Sequence, residues 1–178
     1  MGDAESIESA TKLFEKIEGL RQKIAGKSIP DEKFVARKAK GYLNGSSKLS
    51  FGFLELAYFF NYTKMGNENR KIAELWLHFI QREEAKLAEG HEDQGVAMLL
   101  KSIFYAQLDR YVEAAGQAQV LLKKFKKPKT ESYLPPCATF ELGNALRLQG
   151  RSDMIYTSYK GCCKLENETL KEAKNLEK

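Results

Sequence analysis

Residues 138–167 read ATFELGNALRLQGRSDMIYTSYKGCCKLEN, and no other stretch limits the fold as strongly. Leu142 and Gly143 form a Leu-Gly pair, Leu146 follows in a slot for a large residue, and Gly150 ends the helical run. Tyr159 and Cys162 then fall at the spacing of a second helix. A mid-helix glycine costs about 1 kcal/mol relative to alanine. Gly143 therefore predicts a neighbouring helix that touches the backbone, with an aromatic side chain filling the gap beside it. The pattern is that of a helix-turn-helix unit of about 34 residues which stacks on its neighbours. Such chains bury a continuous core between units and more often bind other proteins than perform chemistry.

The rest of the chain reads as eight or nine helices with no convincing strand, in keeping with only 4 prolines. A first helix over 6–24 places Leu13, Ile17, Leu20 and Ile24 on one face. Pro30, followed by Asp31 and Glu32, opens a second helix that runs to residue 43, and Asn44-Gly45 turns the chain. A third helix over 49–65 is apolar almost all round, which predicts burial between neighbours, and Gly66-Asn67 stops it. A fourth carries Ile72, Leu75, Trp76, Phe79, Ile80 and Leu87 as its stripe, with Trp76 largely buried. Helices over 92–108 and 111–125 make a second pair around the turn Asp109-Arg110-Tyr111, with Ala114 in the small-residue slot. Ala114 and Ile155 occupy equivalent slots 41 residues apart, so the segment KKFKKPKTES at 123–132 is an insertion. The expected organisation is one all-α domain over 1–178. It comprises a helical N-terminal part at 1–48, pairs at 49–90, 92–126 and 133–166, and a polar tail at 167–178.

The Leu-Gly, large-residue and small-residue slots are those of a tetratricopeptide repeat. Four stretches narrow the likeness: IAGKSIPDEKFVARKAKGY at 24–42, ELAYFFNYTKMG at 55–66, QLDRYVEA at 107–114 and YLPPCATFELGNALRLQG at 133–150. Together they resemble the C-terminal half of the tetratricopeptide repeat protein 39 family, over residues 13–150. That family also includes a fungal protein of inclusion-body clearance associated with the mitochondrial outer membrane. The AGKSIP-EKF-RKA segment is the most specific part, because tetratricopeptide proteins in general lack it. The chain departs from the pattern after Gly150, where Ile155 replaces a small residue and the tail from Lys164 is unlike the family. Family members are much longer, so the chain reads as a fragment, a short isoform or a truncated paralogue. The resemblance implies TPR-like pairs stacked as a right-handed α-solenoid, acting as a scaffold or adaptor. It implies no catalytic residues.

Candidate chemistries fall away on spacing. Gly26-Lys27-Ser28 looks like the end of a phosphate loop, but Arg21 stands where the first glycine belongs and a helix precedes the segment. Gly26 reads instead as a helix C-cap. His78 and His91 are the only histidines, and neither has metal ligands at defined spacing. Cys137, Cys162 and Cys163 build neither a disulfide framework nor a metal set, which points to reduced thiols in a cytosolic compartment. The polar N-terminus is not a signal or transit peptide. Gly2 and Ser6 fit the N-myristoylation spacing, but the acidic Asp3 makes a poor match. The sequons at Asn44, Asn61 and Asn167 carry no weight without a secretory signal. The apolar run at 49–62 is too short to span a bilayer. No cofactor, metal or catalytic set emerges, and the chain reads as a non-enzyme.

Two candidate surfaces remain. The inner face of the first helix in each pair carries Val96, Leu99 and Ile103, then Cys137, Phe140 and Asn144. Only Asn144 is polar, which argues against capture of a C-terminal carboxylate by a Lys/Arg/Asn clamp. Val96, Leu99, Ile103, Phe140 and Asn144 are therefore the candidate protein-binding face. An open apolar face predicts a partner helix or self-association. The second surface is basic. The segment 21–48 holds eight cationic residues against Asp31 and Glu32, with Lys33, Arg37 and Lys40 on one helix face. Lys123, Lys124, Lys126 and Lys127 lie in the inserted segment. These are the candidate contacts for an anionic surface, and they give the alternative reading of an adaptor attached peripherally to the mitochondrial outer membrane or another organelle. No recognised nucleic-acid-binding motif is present, which argues against nucleic acid.

Overall fold

A chain rich in helix formers and poor in proline folds into helices with short turns. The computed structural model describes residues 4–22, 26–45 and 49–150. The elements are α1 (Ala4–Leu20), α2 (Pro30–Leu43), α3 (Gly52–Phe59), a 3-10 turn (Tyr62–Lys64), α4 (Met65–Glu68), α5 (Arg70–Glu84), α6 (Glu92–Gln107), α7 (Tyr111–Lys124) and α8 (Leu134–Leu148). Among the described residues there is no β-strand. The predicted second helix of the last pair, with Ile155, Tyr159, Cys162 and Cys163, lies outside the described residues, as does the tail at 167–178. The chain divides into two compact units, Met1–Gly52 and Phe53–Lys178. The seam falls inside the segment read from sequence as the third helix.

In the first unit α1 packs on α2, and the rings of Phe14 and Tyr42 lie 4.8 Å apart. Pro30 starts α2 because its fixed φ suits the first helical turn, and Asp31 and Glu32 sit at the positive end of the helix dipole. Glu32 also accepts a hydrogen bond from the Gln22 backbone N–H at 2.8 Å. Gly26 is not a cap of α1, which ends at Leu20; it occupies a turn at φ +81°. No residue of α1 is fully buried.

In the second unit every residue of α6 from Gly95 to Tyr105 is buried. Three full turns of helix are thus enclosed on all sides, by α5, α7 and α8 among others. The polar residues in that stretch are satisfied. Ser102 Oγ donates to the Ala114 carbonyl of α7 at 2.9 Å, and Lys101 Nζ pairs with Glu84 of α5 at 2.7 Å. Ala114 is fully buried, as its small-residue slot predicts. Gly143 is buried mid-way along α8. Gly95 lets α6 approach the start of α8, since a Cβ there would stand 2.8 Å from Leu134 Cδ1 and 3.3 Å from Phe125 Cδ2. Asn69 and His91 cap α5 and α6 by accepting from Lys71 N and Asp93 N at 3.1 and 3.2 Å. The turn between α6 and α7 is held by Arg70, which pairs with Asp109 at 2.8 Å and donates to the Leu108 carbonyl at 2.7 Å.

Two hydrogen bonds tie α3 to α8 and the residue before it. Tyr133 Oη donates to Glu55 Oε1 at 2.5 Å, and Tyr58 Oη donates to Glu141 Oε1 at 3.0 Å. The Phe59 and Tyr133 rings meet edge-to-face at 5.1 Å. These bridges join segments about eighty residues apart in sequence. Burial raises the pKa of Tyr58, and the neighbouring Cys137 and Glu141 raise it further. Burial likewise raises the Glu141 carboxyl, more than its hydrogen bonds from Tyr58 and Asn144 lower it.

Two sequence expectations are corrected here. The helix predicted over 49–65 stops at Phe59, because Asn61 adopts φ +63° and the chain re-enters through the 3-10 turn. It is also not buried all round: Phe53 is 71% exposed, and Phe60, Tyr62 and Met65 are exposed too. In α5 the buried face is Ala73, Leu77 and Ile80, whereas Leu75 is 65% exposed. Trp76 is half-buried, packed edge-to-face against Phe104 at 5.4 Å and Phe53 at 6.1 Å.

Glu92 latches the inserted segment to α6. Its carboxylate accepts from the backbone N–H groups of Lys129, Thr130 and Glu131 at 2.5, 3.0 and 3.0 Å, and from the Thr130 hydroxyl. Burial alone would raise its pKa, but these four donors outweigh it and hold the carboxyl below the usual glutamate value.

Gly95→Leu is expected to destabilise the protein by about 2–3 kcal/mol through overpacking against Leu134 and Phe125. A denaturation midpoint equal to the parent's would show that the helices do not approach so closely. The pKa values of Glu92 and Glu141 are shifted in opposite directions, so their contributions to stability change oppositely with pH. The Glu92 contribution is fully present above the unfolded-state pKa and is lost as pH falls through the lower folded value. Glu92→Gln should therefore cost about 1 kcal/mol at pH 7, allowing for solvent screening, and the deficit should vanish in acid. The Glu141 penalty is absent below its unfolded pKa and grows as pH rises towards the higher folded value. Glu141→Gln should gain on the parent as pH rises from 4 to 8. Urea midpoints across that range check both, and parallel pH profiles would refute them.

Candidate functional site

The inner-face positions read from the sequence do not form one open surface. Val96 and Leu99 are each 1% exposed and belong to the core of the second unit. This corrects the expectation of an open apolar face along α6. The chain's own α3 and α8 are tied together by the Tyr58–Glu141 and Tyr133–Glu55 bridges, and α6 is enclosed in the same packing. Ile103 is buried as well, yet it forms part of a cleft wall with Phe140 and Asn144, and Phe140 is 44% exposed. Three of the five predicted residues are thus brought together, and two are not.

That cleft has a volume of about 710 Å³ and lies between the segment 58–67, the C-terminal end of α6, and α8. Its apolar lining comes from Phe59, Ile103, Ala106, Phe140 and Leu148. Its polar lining comes from the carboxamides of Asn61, Asn67, Gln107 and Asn144, with Lys64 and Arg147 as its cationic groups. Gly66 shapes one edge. The Gln107 carboxamide lies where a Gly66 Cβ would be, donates to the Thr63 carbonyl at 2.8 Å, and leaves its oxygen buried without a hydrogen-bond partner. Lys64 and Arg147 form no ion pair among the described residues. Glu141 is the acidic group of the lining, and burial favours its neutral form.

Sequence reasoning missed most of these polar groups. The signal was nevertheless present on two helices. Carrying the stripe Val96, Leu99, Ile103 one turn further along α6 reaches Gln107, and carrying Phe140, Asn144 one turn further along α8 reaches Arg147 and Leu148. Lys64 and Asn67 gave no such signal, because the break at Asn61 that re-aims them is not written in the helical period.

The predicted basic residues fall in different units. Lys33, Arg37 and Lys40 are exposed on α2, beside a groove between α1 and α2 of about 660 Å³. Lys123 and Lys124 are exposed in the last turn of α7, and Lys126 and Lys127 in the segment that follows. Among the described residues no group of His, Cys, Asp and Glu could hold a metal ion. No described helix is long and apolar enough to cross a membrane. Cys137 is half-buried beside Tyr58; Cys162 and Cys163 lie outside the described residues.

Comparison with known proteins agrees with this helical-repeat architecture. The family described as Iml2/Tetratricopeptide repeat protein 39 matches residues 2–108. The protein named Tetratricopeptide repeat protein ttc-39B of Caenorhabditis elegans is 34% identical over 137 residues, which cover 76% of this chain and 24% of the worm protein. The chain therefore spans about a quarter of the length of that relative. No solved structure matches it. The family match covers more than half of the chain and the worm relative is 34% identical over most of it, so the chain belongs to the Iml2/tetratricopeptide repeat protein 39 family.

Proposed function

We propose that the chain is a non-catalytic scaffold which holds a segment of a partner protein in the cleft between 58–67, α6 and α8. The observation that supports this most is the make-up of the cleft, in which four carboxamides and two cations surround an apolar lining. Carboxamides supply both a donor and an acceptor, so Asn61 and Asn67, which are exposed, can hydrogen-bond the backbone of an incoming polypeptide whatever its sequence. Phe59, Phe140 and Leu148 would then receive its apolar side chains, and Lys64 and Arg147 would favour an acidic one. The tyrosines and carboxyl groups nearby are committed to structure: Tyr58 donates to Glu141, and Tyr133 donates to Glu55. Membership of a tetratricopeptide family supports the same reading, since such repeats act as interaction scaffolds.

Site-specific photo-crosslinking tests it. A crosslinker at Phe140 is expected to capture a small, reproducible set of proteins from cell extract. The same group at Val112, which is 74% exposed on α7 and outside the cleft, is expected to capture them at least tenfold less. Asn144→Ala together with Arg147→Ala should abolish the Phe140 products without loss of helicity. Equal capture at the two positions would sink the proposal.

A further inference from the structure

The groove of the first unit goes beyond the cleft reading. Phe14 and Ile17 of α1 and Ala36, Ala39 and Leu43 of α2 give it an apolar lining. Its two sides carry opposite charge. On the α2 side Lys33, Arg37 and Lys40 follow one another at four- and three-residue steps, all exposed. On the α1 side stand Glu15 and Glu18, also exposed. Glu18 is engaged by Arg21, whereas Lys33, Lys40 and Glu15 form no ion pair among the described residues. Neither α1 nor α2 is complete as a packed helix here. No residue of α1 is fully buried, and in α2 only Lys38 and Ala39 are.

We propose that this groove receives an amphipathic α-helix of a partner protein, with an acidic flank laid along Lys33, Arg37 and Lys40. The three cations extend over about 10 Å of α2, two turns of a helix lying alongside. An apolar stripe flanked by acidic residues at the same three- and four-residue steps would match both the lining and the cations. An extended peptide is disfavoured, because Asn44 is the sole carboxamide of the lining and an extended backbone needs partners. A helix satisfies its own backbone. A flat anionic bilayer is disfavoured too, because α1 would bring Glu5, Glu8, Glu15 and Glu18 against only Lys12 and Lys16.

The test uses the whole chain and a labelled peptide of about 18 residues, long enough for five helical turns, with a leucine stripe and a glutamate flank. Its twin carries lysine in place of each flanking glutamate. The glutamate peptide is expected to bind at least tenfold more tightly, with a difference that shrinks as salt is added. Lys33→Glu with Lys40→Glu should abolish or invert that preference, and circular dichroism would confirm that the variant keeps its helices. Lys123→Glu with Lys124→Glu, on α7, should leave the preference unchanged. Equal binding of the two peptides, or an equal effect of the α7 substitutions, would overturn the proposal. So would phosphatidylserine vesicles that capture the chain through Lys33 and Lys40 when neither peptide binds.

Discussion

The enclosure of α6 is the constraint on which the second unit depends. Eleven consecutive residues, Gly95 to Tyr105, are out of solvent, so the helix has no outward face. That is tolerable only if its polar members find partners inside. Lys101 finds Glu84 on one neighbouring helix, and Ser102 finds the Ala114 carbonyl on another. Each of these contacts fixes where a neighbour must lie. Gly95 sets a third limit by permitting the close approach of Leu134 and Phe125. Polar satisfaction and steric room therefore place α5, α7 and α8, while apolar burial supplies the driving force.

The same enclosure decides which faces of the second unit stay open. Here the side chains of α3 reach α8 and the residue before it through two tyrosine–glutamate bridges, and Val96 and Leu99 lie in the core. What stays open is the region beyond, where the chain breaks at Asn61 and α4 turns Asn67 towards Asn144 and Arg147. The accessible surface is consequently more polar than the inner face as a whole, and Lys64 and Arg147 give it positive character.

The charge pattern of the chain resolves into separate local surfaces. The basic residues at 33–40 border an apolar groove with glutamates on its other side, while those at 123–127 are exposed at the end of α7 and in the segment after it. A net charge of +5 describes neither of them. The inserted segment is also more than a solvated loop, since Glu92 gathers three backbone N–H groups and a hydroxyl from it.

Read alone, the sequence determined the helical class, the pair over 92–125 with its turn at Asp109, the small-residue slot at Ala114 and the end of α8 before Gly150. These are local matters, set by helical period, capping and glycine placement within a few residues. It also pointed to Ile103, Phe140 and Asn144, because a helix face is visible in spacing. Only the tertiary structure decided which apolar helix is enclosed. The segment 49–65 is the richer in aromatics, yet α6 is the buried one, because burial depends on how many neighbours an element has and not on its hydrophobicity alone. The polar cleft was hidden for the same reason. Lys64, Gln107 and Arg147 come together from three segments distant in sequence, through packing that no local pattern encodes.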